Sequence, residues 1–134
     1  MNLDVVLEEV LPHPPEEVWR ALTDPEAISE WLMPTDDFEA SVGARFRMKT
    51  QRLAADGWVR AEIVELRPPR RMVWAWSVDT VRPPTTLTFE LAPEGDHTRL
   101  RLTHKGEIDP SAGALIQDGW PGRIEEMRRV LEHA

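Results

Sequence analysis

Thr86-Leu87-Thr88-Phe89-Glu90-Leu91-Ala92-Pro93-Glu94-Gly95-Asp96-His97-Thr98-Arg99-Leu100-Arg101-Leu102-Thr103-His104 is the stretch that decides the fold. Leu87, Phe89 and Leu91 alternate with Thr86, Thr88 and Glu90. Leu100 and Leu102 alternate with Arg99, Arg101 and Thr103. A period of two sends apolar side chains to one face of a strand and polar ones to the other. Pro93-Glu94-Gly95-Asp96 between the runs carries turn chemistry. The spacing predicts an antiparallel hairpin turning at 93–96, with Phe89 opposite Leu100 and Glu90 opposite Arg99. That register sets apolar against apolar on one face and opposite charges on the other.

The same period continues upstream. Phe46 and Met48 alternate with Arg45, Arg47 and Lys49, and a further run extends from Gly57 to Leu66. Arg67-Pro68-Pro69-Arg70 reads as a turn, after which Met72, Trp74 and Trp76 share one face. Residues 3–11 read as a strand ended by Pro12, Pro14 and Pro15. Pro15 with Glu16 and Glu17 opens a short helix over 15–23, and Asp24-Pro25-Glu26 opens a second over 25–31. Asp24 is the expected N-cap, its carboxylate accepting from free backbone N–H groups. At the other end the period becomes 3.6. Trp120, Ile124, Met127 and Leu131 form the apolar stripe of a long helix starting at Asp109-Pro110. Pro121 inside that stripe predicts a kink or break near 118–121. A curved sheet with one apolar face must cover it, and the final helix is the sizeable cover available.

Composition narrows the function. The chain has 134 residues, a length that suits one domain, expected to span 1–134. The absence of cysteine excludes a disulfide framework, a cysteine nucleophile and a thiolate metal site. A balance of 16 basic and 24 acidic residues, net −8, argues against a nucleic-acid binder and against an anionic membrane surface. The longest apolar run, Met72 to Trp76, is too short to span a bilayer. Met1-Asn2-Leu3-Asp4 has neither the basic region nor the apolar core of a signal peptide, so a cytoplasmic location is expected. Four scattered histidines without His-x-x-x-His spacing give no metal site. No nucleophile elbow, phosphate loop or dinucleotide fingerprint is present, and no cofactor is expected.

The run Pro15-Glu16-Glu17-Val18-Trp19-Arg20-Ala21-Leu22-Thr23-Asp24-Pro25-Glu26-Ala27-Ile28-Ser29-Glu30-Trp31 resembles the opening of the START-like (SRPBCC) superfamily. Gly43-Ala44-Arg45-Phe46, the run from Val64 to Trp76, Thr88 to Leu91, Thr98 to His104 and Gly119-Trp120 follow in the expected order. More narrowly the chain is similar to the branch named for homologues of the activator of the heat-shock protein 90 ATPase. The resemblance implies an α+β helix-grip fold. In it a curved antiparallel sheet of about seven strands grips a long C-terminal helix, and two short helices follow strand one. It also implies a hydrophobic cavity for a small molecule. Members bind lipids, polyketides, hormones or antibiotics, and a few are cyclases.

The candidate ligand-binding residues are the inward side chains of that arrangement. On the sheet they are Phe46, Met48, Met72, Trp74, Trp76, Leu87, Phe89, Leu102 and His104; on the helices they are Trp31, Ile116 and Trp120. Space between a sheet and its covering helix suits a small apolar or aromatic ligand. Large aromatics also build plain cores, the reading preferred for Trp19. Trp58 reads as a strand-end or rim residue. His104 continues the inward face of Leu100 and Leu102, either as a polar handle for a ligand or as a histidine hydrogen-bonded in the core. His13, His97 and His133 read as solvent-exposed. Arg60 and Glu62 are in phase with Val64 and Leu66; both enter the cavity if that phase faces inward, and a bulge turns them out. Asp36-Asp37 and the arginines around Pro68-Pro69 read as solvated turns. The expected function is non-covalent binding of a small apolar ligand by a monomer or homodimer. The alternatives are a cavity-based cyclase or hydrolase and a module that docks on a chaperone partner.

Overall fold

The computed structural model describes residues 1–133. β1 (Asn2–Leu11) is followed by α1 (Pro15–Thr23) and α2 (Pro25–Trp31), then by β2 (Thr35–Asp36), β3 (Arg45–Lys49) and β4 (Trp58–Arg67). The order continues with β5 (Arg71–Ser77), β6 (Thr85–Glu94), β7 (His97–Glu107) and α3 (Pro110–Glu132). The strands form one antiparallel sheet in the order β1-β7-β6-β5-β4-β3-β2. β1 and β2 are therefore opposite edges, and the two short helices lie in the connection between them. The long helix covers the same face. This is the helix-grip arrangement expected from the sequence.

Alternation builds the core. Phe46 and Met48 of β3, Met72, Trp74 and Trp76 of β5, Leu87, Phe89 and Leu91 of β6, and Leu100 and Leu102 of β7 are all buried. The stripe of α3 meets them with Ile116, Trp120, Ile124, Met127 and Leu131. Each such side chain removed from water contributes about 1.5–3 kcal/mol, which sets this seam as the main cohesive surface. Asp109 caps α3, its carboxylate accepting from the Ala112 N–H at 3.1 Å. Asp24 sits at the N-cap of α2 but makes no side-chain capping bond, contrary to the expectation from its residue type.

Several sequence expectations are corrected. The β6–β7 hairpin pairs Phe89 with Leu102 and Glu90 with Arg101, a register two residues beyond the one expected. The turn is the two-residue loop Gly95-Asp96, with Gly95 at φ 64°, where a glycine is favoured. A slip of two leaves every side chain on its expected face, so the facing pattern alone does not fix the register. α3 runs unbroken through Pro121, held by the same buried stripe on both sides of the proline. Alternation with the buried Val59, Ala61 and Ile63 puts Arg60, Glu62 and Val64 on the outer face, and a register shift between Ile63 and Glu65 brings Leu66 back to the inner side opposite Met72. On the outer face Arg60 pairs with Asp56 at 2.8 Å and Glu62 with Arg45 at 3.0 Å. Trp19 is half-buried at the margin of the core rather than within it, and His13 is half-buried against Glu17 at 3.1 Å.

Gly106 in β7 is a fold requirement that no pattern announced. Its φ is 138°, and a Cβ there would come within 3.1 Å of the Thr85 Cα. Gly119 in α3 is the opposite case: a Cβ there meets nothing within 4 Å. Gly106→Ala is expected to destabilise the chain by about 1–3 kcal/mol, the cost of a strained backbone. Gly119→Ala is expected to stabilise it by up to about 1 kcal/mol through helix propensity. Urea denaturation of the two variants checks the pair.

Candidate functional site

β7 delivers His104 to the inside of the sheet, where it is fully buried. Two neighbours engage its two ring nitrogens. The Trp120 indole N–H donates to Nδ1 at 3.2 Å, and Thr85 Oγ1 lies 2.8 Å from Nε2. An indole N–H can only donate, so Nδ1 must be the acceptor and the neutral ring must carry its proton on Nε2. Nε2–H then donates to Thr85 Oγ1, and the Thr85 hydroxyl donates to the Trp76 carbonyl at 3.1 Å. The chain Trp120 → His104 → Thr85 → Trp76 carbonyl links α3 to β7, β6 and β5 with every step satisfied. Burial pushes the His104 pKa down to about 3, since a protonated ring would lose both its water and its acceptor role toward Trp120.

The chain of bonds fixes an aromatic pair. Trp120 and Trp76 lie with ring centroids 6.2 Å apart at 55°, and the His104 ring packs edge-on to Trp76 at 5.0 Å. Beside this pair opens a cleft of about 180 Å³. Its apolar wall is Trp76, Trp120 and Ile116 with Leu32 and Met33, all buried, joined by the half-buried Leu53 and Leu115. Leu32 and Met33 come from the segment that leaves α2. Leu53 comes from the loop between β3 and β4, where Thr50 Oγ1 accepts from the backbone N–H groups of Arg52 and Leu53 at 3.3 and 3.4 Å. Arg52 and Arg123 complete the lining from that loop and from α3.

Of the twelve residues expected to contact a ligand, Trp76, Ile116 and Trp120 line this cleft. Phe46, Trp74 and Phe89 instead form an edge-to-face cluster, with Trp74 ring centroids 4.9 Å from Phe46 and 5.1 Å from Phe89. Trp31 is wholly buried, its indole N–H donating to the Ala21 carbonyl at 2.8 Å. Met48, Met72, Leu87 and Leu102 are fully buried in the core and do not line the cleft, and His104 reaches it through Trp120. The indole N–H groups of Trp74 and Trp76 are buried without an acceptor. Trp58 packs on the outer face under Arg47, whose guanidinium carbon is 3.9 Å from the ring centroid. Sequence reasoning missed Leu32, Met33, Leu53, Arg52, Arg123 and Thr85. The first four follow or interrupt regular elements, where no periodicity reports direction, and Arg123 lies on the polar side of the α3 pattern. Thr85 was findable in principle as the inward neighbour two residues before Leu87.

His104 makes stability depend on pH. The unfolded ring takes a proton below pH of roughly 6.5, whereas the native ring stays neutral to about 3. Stability is therefore lost as pH falls from roughly 6.5 toward 3, and this contribution is absent at higher pH. Between pH 7.5 and 5, wild type is expected to lose about 2 kcal/mol more than His104→Gln in denaturant unfolding. Equal losses in both proteins would contradict the neutral, buried ring.

Comparison with known proteins places this geometry. The family model for Activator of Hsp90 ATPase homolog 1-like protein matches residues 12–132. Protein MLL2253 from Mesorhizobium loti is similar over 98% of both chains, at 31% identity and a TM-score of 0.82. Protein CV1439 from Chromobacterium violaceum is similar over 96% of both chains, at 26% identity and a TM-score of 0.79. CalU16 from Micromonospora echinospora shares the fold over 97% of this chain and 76% of its own, at 22% identity and a TM-score of 0.78. A search of curated proteins finds no match. No helix among the described residues is long and apolar enough to cross a membrane. The chain belongs to the Activator of Hsp90 ATPase homolog 1-like family, within the START-like superfamily.

Proposed function

We propose that the chain binds a small, ring-bearing apolar molecule in the cleft between α2, the β3–β4 loop and α3. The observation that carries this reading is the wall made by Trp76 and Trp120. Both indoles are almost fully buried yet border the open space, and that of Trp120 is tied to a buried histidine. An aromatic wall held in place spares a ligand the entropy of ordering its site. Burying a single ring there contributes about 25 cal/mol per Å² of apolar surface before association costs. Trp76, Ile116 and Trp120 are the proposed contacts, with Leu32 and Met33. His104 is a positioning residue that acts through Trp120. The remaining expected residues, from Trp31 to Leu102, belong to the buried core rather than to the proposed contacts. The cleft volume, about 180 Å³, suits one ring with a short arm, since cavities of about 150 Å³ hold benzene.

The indole N–H groups are six separate NMR reporters. Titration of the ¹⁵N-Trp-labelled protein with benzyl alcohol is expected to shift the Trp76 and Trp120 signals and leave that of Trp31 in place. Gly119→Leu puts a side chain into the open space beside Gly119 and is expected to abolish the shifts. Absence of shifts in wild type, or equal shifts in Gly119→Leu, would overturn the proposal.

A further inference from the structure

We infer that the ligand of this cleft carries a carboxylate, held at the mouth by Arg52 and Arg123. The inference rests on the binding reading above and adds the chemical class of the ligand. Of the 14 arginines, ten take part in ion pairs with acidic side chains, among them Arg45, Arg60, Arg71, Arg99 and Arg128. Among the described residues Arg20, Arg52, Arg70 and Arg123 have neither an ion pair nor a side-chain hydrogen bond. Two of these four, Arg52 and Arg123, line this one cleft.

The lining contains no acidic residue. In a chain of net charge −8 that pairs most of its arginines, two uncommitted guanidinium groups beside an apolar wall are a local reversal of the overall field. Their positions differ in kind: one sits on a loop pinned by Thr50, the other on the long helix three residues after Trp120. Each presents a planar fork of donors that matches a carboxylate. An apolar wall with cationic groups at its mouth fits an amphipathic acid, ring inward and acid outward. The cleft volume of about 180 Å³ limits the body to one ring.

The test uses phenylacetate and its neutral isostere phenylacetamide as probes, read by the Trp120 indole signal at low ionic strength. Phenylacetate is expected to bind about tenfold tighter, the advantage of a charge-assisted pair over a neutral one. Added salt shrinks the gap, because both arginines are solvent-exposed. Arg52→Gln and Arg123→Gln are each expected to reduce the preference about threefold, and the double variant to erase it. Arg70→Gln, which removes an equal charge at the Pro68-Pro69 turn, is expected to leave it unchanged. Equal binding of the two probes by wild type would overturn the carboxylate assignment while leaving the cleft reading in place. So would an equal loss in Arg70→Gln, which would reduce the effect to net charge. Failure of both probes, together with benzyl alcohol, to move the Trp76 and Trp120 signals would overturn both readings.

Discussion

The hydrogen bond from the Trp120 indole to the buried His104 is the constraint on which the cleft depends. A buried imidazole is tolerated when both nitrogens are satisfied, and here the satisfaction is shared across the helix and three strands. The indole can only donate, the ring must therefore hold its proton on the far nitrogen, and Thr85 passes the chain on to the backbone. The polar edge of Trp120 is thus committed to the sheet, and its orientation beside the cleft is fixed. Removing either partner would leave a buried donor or acceptor unpaired, at a cost of about 1–3 kcal/mol.

Much of the fold was legible because periodicity is strong where burial is one-sided. Both short helices begin and end at the expected residues, since each opens on a proline that suits only a first turn. What periodicity leaves open is what the structure had to supply. A two-residue slip of the β6–β7 register preserves every facing relation and is invisible to an alternation argument. The bulge after Ile63 reverses the phase of β4 beyond it, so the inward Leu66 was a misleading guide to Arg60 and Glu62, which share the outer face with the exposed Val64. Pro121 is a local rule overridden by the buried stripe of α3, as tertiary packing commonly overrides propensity.

The site was half legible. Alternation gave the direction of Trp76 and His104, and helical spacing gave Trp120. Nothing in the sequence separates the inward residues that border open space from those that fill the interior. Trp74 and Trp76 share one strand and one face, yet the first is ringed by phenylalanines and the second stands at the cleft. The polar contributors come from a loop and from the hydrophilic side of a helix, where the residue type is ordinary. Their significance lies in the ion pairs they lack, a property only coordinates reveal. Family membership fixes the scaffold and leaves the ligand to be argued from these side chains.

Native mass spectrometry of the freshly purified chain, followed by denaturing extraction, tests the central claim most directly. One ring-bearing acid of low mass per chain is predicted on wild type and absent from Gly119→Leu, whose added side chain occupies the cleft. Retention of the same compound by Gly119→Leu, or a clean apo mass for both proteins, would contradict the account.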